Sequence, residues 1–172
     1  PSLSGAMRTR ILDAALRIAR AVRYDGIGTF EFLVADQDQD FAFIEANARL
    51  QVEHTITEEV MGVDLVAIQL KLANGACLAE LALPDGQTAN GFALQLRINT
   101  ERMKANGRTL PASGKLTAFG PPGGPGVRLD THAFNGFRSS PEFDSLLAKL
   151  IVHSTSRDFG DCVRKALWSL SE

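Results

Sequence analysis

The chain has 172 residues, 18 Lys plus Arg against 20 Asp plus Glu, and a formal net charge of -2, which suits one domain or one and a fraction. The balance excludes a strongly basic nucleic-acid binder and an acidic tail. Cys77 and Cys162 form no CxxC pair or disulfide scaffold, no apolar run approaches the roughly 18 residues of a membrane span, and no leader is visible, so a reducing cytoplasm is expected.

Residues 6–23 predict an amphipathic helix, with Ile11, Ala14, Ala15, Ile18, Ala19 and Val22 at helical spacing. Ser4 suits its N-cap and Tyr24-Asp25-Gly26 its end. Arg8, Arg10, Asp13, Arg17 and Arg20 make a solvated opposite face. Residues 28–34 and 41–48 predict two strands. The polar stretch Asp36-Gln37-Asp38-Gln39-Asp40 joins them as an antiparallel hairpin. Residues 57–74 follow a helical pattern, broken at Gly62 and stopped by Asn74-Gly75; a loop around Pro84-Asp85-Gly86 comes next.

Residues 91–98 predict a strand. The Pro- and Gly-rich stretch 106–126 predicts tight turns between short strands near 114–119 and 126–131. Its Gly-Pro run at 120–126 opens no helix, so it reads as turns and not as a phosphate loop. The latter part of 145–153 reads as a strand, and 157–171 as a helix with Leu167 and Trp168 on its core face. The fold class is α+β with mainly antiparallel pairing.

The chemistry concentrates after Phe43. Glu45, Asn47, Arg49, Gln51 and Glu53 share one parity, so an extended strand would place all five in one polar row. Centring the hairpin on Asp38 pairs Phe32 with Ile44, Glu31 with Glu45 and Phe30 with Ala46. Two facing carboxylates repel unless a cation sits between them. Oxygen ligands from Glu31, Glu45 and Asn47 suit Mg²⁺ or Mn²⁺ rather than Zn²⁺. Arg49 offers a bidentate fork for a small oxyanion, Gln51 a neutral donor, and Glu53 a carboxylate able to act as a general base. The residues alone leave other readings open: a solvated strand face, and an Arg49–Glu53 structural ion pair.

Phe30-Glu31-Phe32-Leu33, the block Phe43-Ile44-Glu45-Ala46-Asn47-Ala48-Arg49-Leu50-Gln51-Val52-Glu53-His54, and Gly62-Val63-Asp64-Leu65 closely resemble biotin carboxylase, the ATP-grasp component of biotin-dependent carboxylases. Leu96-Arg97-Ile98-Asn99, Pro122-Gly123-Gly124-Pro125-Gly126-Val127-Arg128 and Phe143-Asp144-Ser145-Leu146-Leu147-Ala148-Lys149 extend the resemblance through the second half. It implies the last segment of an ATP-grasp domain (1–75) followed by a biotin carboxylase C-terminal domain (76–172). Glu31 and Glu45, assisted by Asn47, resemble the metal-bridging residues, with Leu33 and Ile44 beside the nucleotide. Arg49, Gln51 and Val52 resemble bicarbonate contacts, with Arg49 catalytic. Glu53 resembles the base and Arg97 the residue that holds the biotin ureido oxygen. His54, Asp144 and Lys149 read as structural.

The implied reaction is a ligase reaction: ATP, bicarbonate and biotin give ADP, phosphate and carboxybiotin, with Mg²⁺ or Mn²⁺. Implied partners are a biotin carboxyl carrier domain, a carboxyltransferase component and a homo-oligomer, with no nucleic acid and no membrane. The setting would be an acyl-CoA carboxylase of fatty acid metabolism, loosely the single-chain long-chain type. Four positions depart from the family pattern: Ala48 for Thr or Pro, Thr55 for Pro, Gln95 for Glu, and Pro125 for an aromatic near the dimer contact. No Gly-rich phosphate loop precedes Glu31, and the start at Pro1 without Met reads as internal. These features predict a C-terminal piece that is inactive alone. The rival readings are a non-catalytic dimerisation or carrier-docking module, and another ATP-grasp ligase such as a carbamoyl-phosphate synthase.

Overall fold

The computed structural model describes residues 3–35, 40–81, 83 and 89–171. The polar turn expected at 36–40 and the loop expected at 84–86 lie largely or wholly outside these. The chain divides into two compact units, Pro1–His54 with Asp64–Leu83, and Thr55–Val63 with Pro84–Glu172. The fold is α+β, as expected.

In the first unit, α1 spans Gly5–Ala21, and the Ser4 hydroxyl accepts the Met7 N–H at 3.1 Å. Met7 and Ala14 are buried on its inner face, whereas Val22 lies beyond the helix and is exposed. The helix ends two residues earlier than its apolar spacing predicts, because Arg23 turns to φ +50°. Strands β1 (Thr29–Val34) and β2 (Phe41–Asn47) pair antiparallel. A Cβ at Gly28, just before β1, would collide with the Tyr24 hydroxyl and the Asn47 carbonyl, so that entry demands glycine.

The hairpin register is Glu31↔Glu45 and Phe30↔Ala46, but Phe32 pairs with Phe43 and not with Ile44. A bulge absorbs Ile44, which counting from the turn alone cannot foresee. Helix α3 (Leu65–Ala73) is capped by Asp64, whose Oδ1 accepts the Ala67 N–H at 2.7 Å, and it closes through Asn74 and Gly75 at φ +91°. A single 3-10 turn, Leu78–Glu80, follows.

The second unit begins with α2 (His54–Met61), whose first residue belongs to the other unit. The helix expected from 57 to 74 is thus two helices, parted at Gly62 with φ +64°. Strands β3 (Phe92–Asn99), β7 (Val127–Thr131) and β9 (Leu146–Ser154) form a sheet in the order β3-β9-β7, wholly antiparallel. Helix α4 (Phe159–Ser171) contributes Cys162 and Ala166 to a core with Leu150 and Val152, flanked by Leu94, Leu96, Ile98, Val127 and Leu129. Leu167 and Trp168 are exposed, against expectation. The small residues Cys162, Ala166 and Ser169 face inward instead, at spacings of four and three, because they let the helix lie close on the sheet.

Two further pairs were not foreseen: β4 (Glu101–Met103) with β5 (Thr109–Pro111), and β6 (Gly114–Lys115) with β8 (Arg138–Ser139). The strand expected at 114–119 is only these two residues of β6. No helix follows the Gly-Pro run; it leads straight into β7.

Candidate functional site

Glu31 and Glu45 face each other across the hairpin, on the open-end side of the bulge. The Asn47 amide lies between them and donates to Glu31 Oε1 at 3.1 Å and to Glu45 Oε1 at 2.9 Å. Gln51 Nε2 donates to the same Glu31 oxygen at 2.8 Å. Neutral amide donors soften the repulsion of two carboxylates without cancelling their charge.

The polar row does not continue as a strand. β2 ends at Asn47, Ala48 and Arg49 form a bend, and Val52–Glu53 a turn. The Gln51 carbonyl accepts the His54 N–H at 3.2 Å and lies 2.9 Å from the His54 Nδ1, closing the chain over this turn. That contact starts α2 at His54 rather than at residue 57. Gln51 therefore reaches Glu31 from a turn, not from strand parity.

Arg49 is exposed at the bend and donates from Nη1 to the Leu50 carbonyl at 3.2 Å. It lines a cleft of about 350 Å³ with Tyr24, Ile27, Gln69 and Leu72. Glu53 is exposed, and Leu33 and Ile44 are 65% and 55% exposed. Arg97 lies on β3, in the second unit.

Glu31 and Glu45 are two hard oxygen ligands, and among the described residues no group of three or more His, Cys, Asp and Glu side chains is arranged to hold a metal ion by itself. Two carboxylates on one face fit Mg²⁺ or Mn²⁺, which takes its other ligands from water and phosphates, and do not fit a closed Zn²⁺ site. Nearby, the buried Gln51 Oε1 has no hydrogen-bond partner among the described residues. A buried acceptor left so is costly unless something occupies it.

The second unit holds a network that local reading missed. Arg128 donates from Nε to Asp130 Oδ1 at 2.8 Å and from Nη2 to Oδ2 at 3.0 Å, a bidentate fork. Its Nη1 donates to Glu58 at 2.8 Å and to Glu59 at 3.4 Å, and Lys149 meets Asp130 at 3.3 Å. The Asp130 hydrogen bonds hold the Arg128 guanidinium well above its ordinary range, with Glu58 adding to them against the cost of burial. Burial pushes the Asp130 carboxyl up, but Arg128 and Lys149 outweigh it and hold it below the usual range. The available signal was the i, i+2 spacing of Arg128 and Asp130 on one strand face.

Two family models match: "Carbamoyl-phosphate synthase L chain, ATP binding domain" over residues 1–81, and "Biotin carboxylase C-terminal domain" over residues 95–172. Biotin carboxylase 1 of Bacillus subtilis is 39% identical over 173 residues, covering 100% of this chain. The chain belongs to the biotin carboxylase family.

It spans 37% of the length of that Bacillus biotin carboxylase. The biotin-dependent acyl-coenzyme A carboxylase alpha3 subunit of Mycobacterium leprae is 46% identical over 157 residues, 91% of this chain and 25% of that protein. Pyruvate carboxylases also match. Among solved structures, a single-chain, multi-domain long-chain acyl-CoA carboxylase superposes with a TM-score of 0.93 at 43% identity, over 99% of this chain and 18% of that one. Biotin carboxylases are ATP-dependent ligases. No helix of the described residues is long and apolar enough to cross a membrane.

Proposed function

We propose that this chain supplies the metal, bicarbonate and biotin side of a biotin carboxylase that carboxylates biotin on a carrier domain within a cytoplasmic acyl-CoA carboxylase. The observation that carries this reading is the facing pair Glu31 and Glu45 with the Asn47 amide between them and Gln51 on Glu31. Residues 1–75 would serve the nucleotide and metal, and 76–172 the biotin. The carrier domain, a carboxyltransferase component and a second copy of the chain are the proposed partners.

Glu31 and Glu45 would hold Mg²⁺ or Mn²⁺, with Asn47 assisting once its side chain turns to present the amide oxygen in place of the NH2 that donates to both carboxylates. The ion would neutralise phosphate charge during transfer from ATP. Leu33 and Ile44 offer exposed apolar surface beside the carboxylates for the nucleotide. Arg49, Gln51 and the Val52 backbone orient bicarbonate, a planar oxyanion suited to a guanidinium fork. Glu53 takes the bicarbonate proton, which turns the neutral O–H into a nucleophilic oxygen for attack on the γ-phosphorus. Arg97 stabilises the ureido oxygen as negative charge develops there on deprotonation of biotin.

The test is Arg49→Ala in the complete carboxylase. Carboxybiotin formation should fall by roughly 10²–10³-fold or more, the cost of losing a charge stabiliser of the reacting groups. ATP binding should persist. Carboxylation at the wild-type rate would refute the reading.

A further inference from the structure

The two departures from the family pattern at 55 and 95 meet in space. Thr55, in the first turn of α2, has 0% exposure, and its hydroxyl donates to Gln95 Oε1 at 2.5 Å across forty positions of sequence. A buried hydroxyl must find an acceptor. The Pro and Glu of the family pattern cannot make this bond, because Pro has no hydroxyl to donate. The two substitutions therefore complement each other.

Gln95 lies two residues before Arg97 on β3, so both side chains stand on one sheet face, about 7 Å apart along the strand. The opposite face carries Leu94, Leu96 and Ile98 into the core. β3 is an edge strand, joined by ladder hydrogen bonds to β9 alone among the described residues. An edge strand has a ladder neighbour on one side only, so contacts on its faces add to what fixes it. The Thr55 bond ties it at Gln95. The tie is also neutral: a Gln puts no carboxylate beside Arg97, while the neighbouring Lys149 pairs with Asp130 at 3.3 Å.

We propose that Thr55 and Gln95 are a positioning pair for the biotin arginine: their buried hydrogen bond fixes the β3 face from which Arg97 engages the ureido oxygen. The inference rests on the role of Arg97 proposed above.

The test is biotin-dependent ADP release by the complete carboxylase carrying these residues, with free biotin varied. Thr55→Val and Gln95→Met should each raise the biotin KM roughly tenfold, the effect of leaving one buried polar group unpaired. The KM values for ATP and bicarbonate should stay within about twofold, a split that general destabilisation would not produce. The double variant should be no worse than either single, since both remove one shared interaction. Thr55→Ser keeps the hydroxyl and should bring the biotin KM to within about twofold of wild type. Should Thr55→Val fail to fold, Gln95→Met and Thr55→Ser carry the test.

An unchanged biotin KM in Gln95→Met, additive effects in the double variant, or equal losses for all three substrates would overturn the proposal. Arg97→Met, run alongside, separates the two levels. If it raises the biotin KM while Thr55→Val and Gln95→Met do not, only the positioning pair falls. If Arg97→Met behaves as wild type, the arginine's role falls and the pair with it.

Discussion

The hairpin of the first unit and the polar sheet face of the second use the same kinds of side chain to opposite ends. On the sheet face Arg128, Asp130 and Lys149 are matched in sign: Arg128 grips Asp130 with two N–H groups and Glu58 with a third, and Lys149 closes on Asp130. On the hairpin two like charges face each other, with the Asn47 and Gln51 amides donating to them and the buried amide oxygen of Gln51 without a partner among the described residues. A satisfied network stabilises a fold, whereas an undercompensated one has to be held in place by the fold; under the proposed function a metal ion would complete it. Charge density alone does not separate the two; the balance of signs does.

Removing the hub of the satisfied network gives the largest expected effect. Arg128→Ala leaves Asp130 and the 7%-exposed Glu58 without their guanidinium. A loss of roughly 2 kcal/mol is expected in chemical unfolding, the worth of charge-assisted hydrogen bonds to one buried carboxylate, discounted because the Arg128 side chain is 36% exposed. A change below about 1 kcal/mol would place Arg128 among ordinary surface ion pairs and break the contrast.

The pH dependence comes next, since it alters one carboxylate and leaves the guanidinium in place. Asp130 is held below its ordinary range in the folded chain. Its contribution is therefore fully present above the unfolded carboxylate value near 4 and is lost as pH falls through the lower folded value. Melting temperature against pH should fall in that acid window, and Asp130→Asn should flatten the fall. An unaltered slope in the variant would assign the acid sensitivity to other carboxylates.

The smallest effect on stability is expected at the hairpin. Glu45→Gln removes one of two facing negative charges, so unfolding free energy should stay within about 1 kcal/mol or rise. In the complete carboxylase the same variant should weaken the metal dependence of ATP cleavage. Destabilisation as large as that of Arg128→Ala would show the carboxylate pair to be structural.

The longer elements were legible because their periodicity is strong. α1, the hairpin strands, β3 and α4 all occur where the apolar spacing puts them, to within two residues. The Glu31–Glu45 pairing was legible because hairpin arithmetic needs only a turn centre. It failed for Phe32 because a bulge leaves no mark in alternation. Parity likewise persisted through Arg49, Gln51 and Glu53 after the strand had stopped, since a period of two in sequence does not require extended backbone. The strands of two or three residues are too short to show any period. The Thr55–Gln95 bond and the Arg128–Glu58 pair join residues forty and seventy apart, beyond any local pattern.

The bulge at Ile44 acts as a phase shifter. In an unbroken ladder Phe41 and Phe43 would fall on the side of Glu31 and crowd the carboxylates with rings. The extra residue moves both to the other side, where each meets Phe32 edge-on with centroids 5.6 Å apart. Deleting Ile44 would leave the Glu31–Glu45 pairing in place and splice the two half-ladders cleanly, whereas inserting a second residue there would carry the aromatic side round to the carboxylates. A single uncounted position thus lets one short hairpin be greasy on one surface and anionic on the other, from a sequence whose own alternation slips midway.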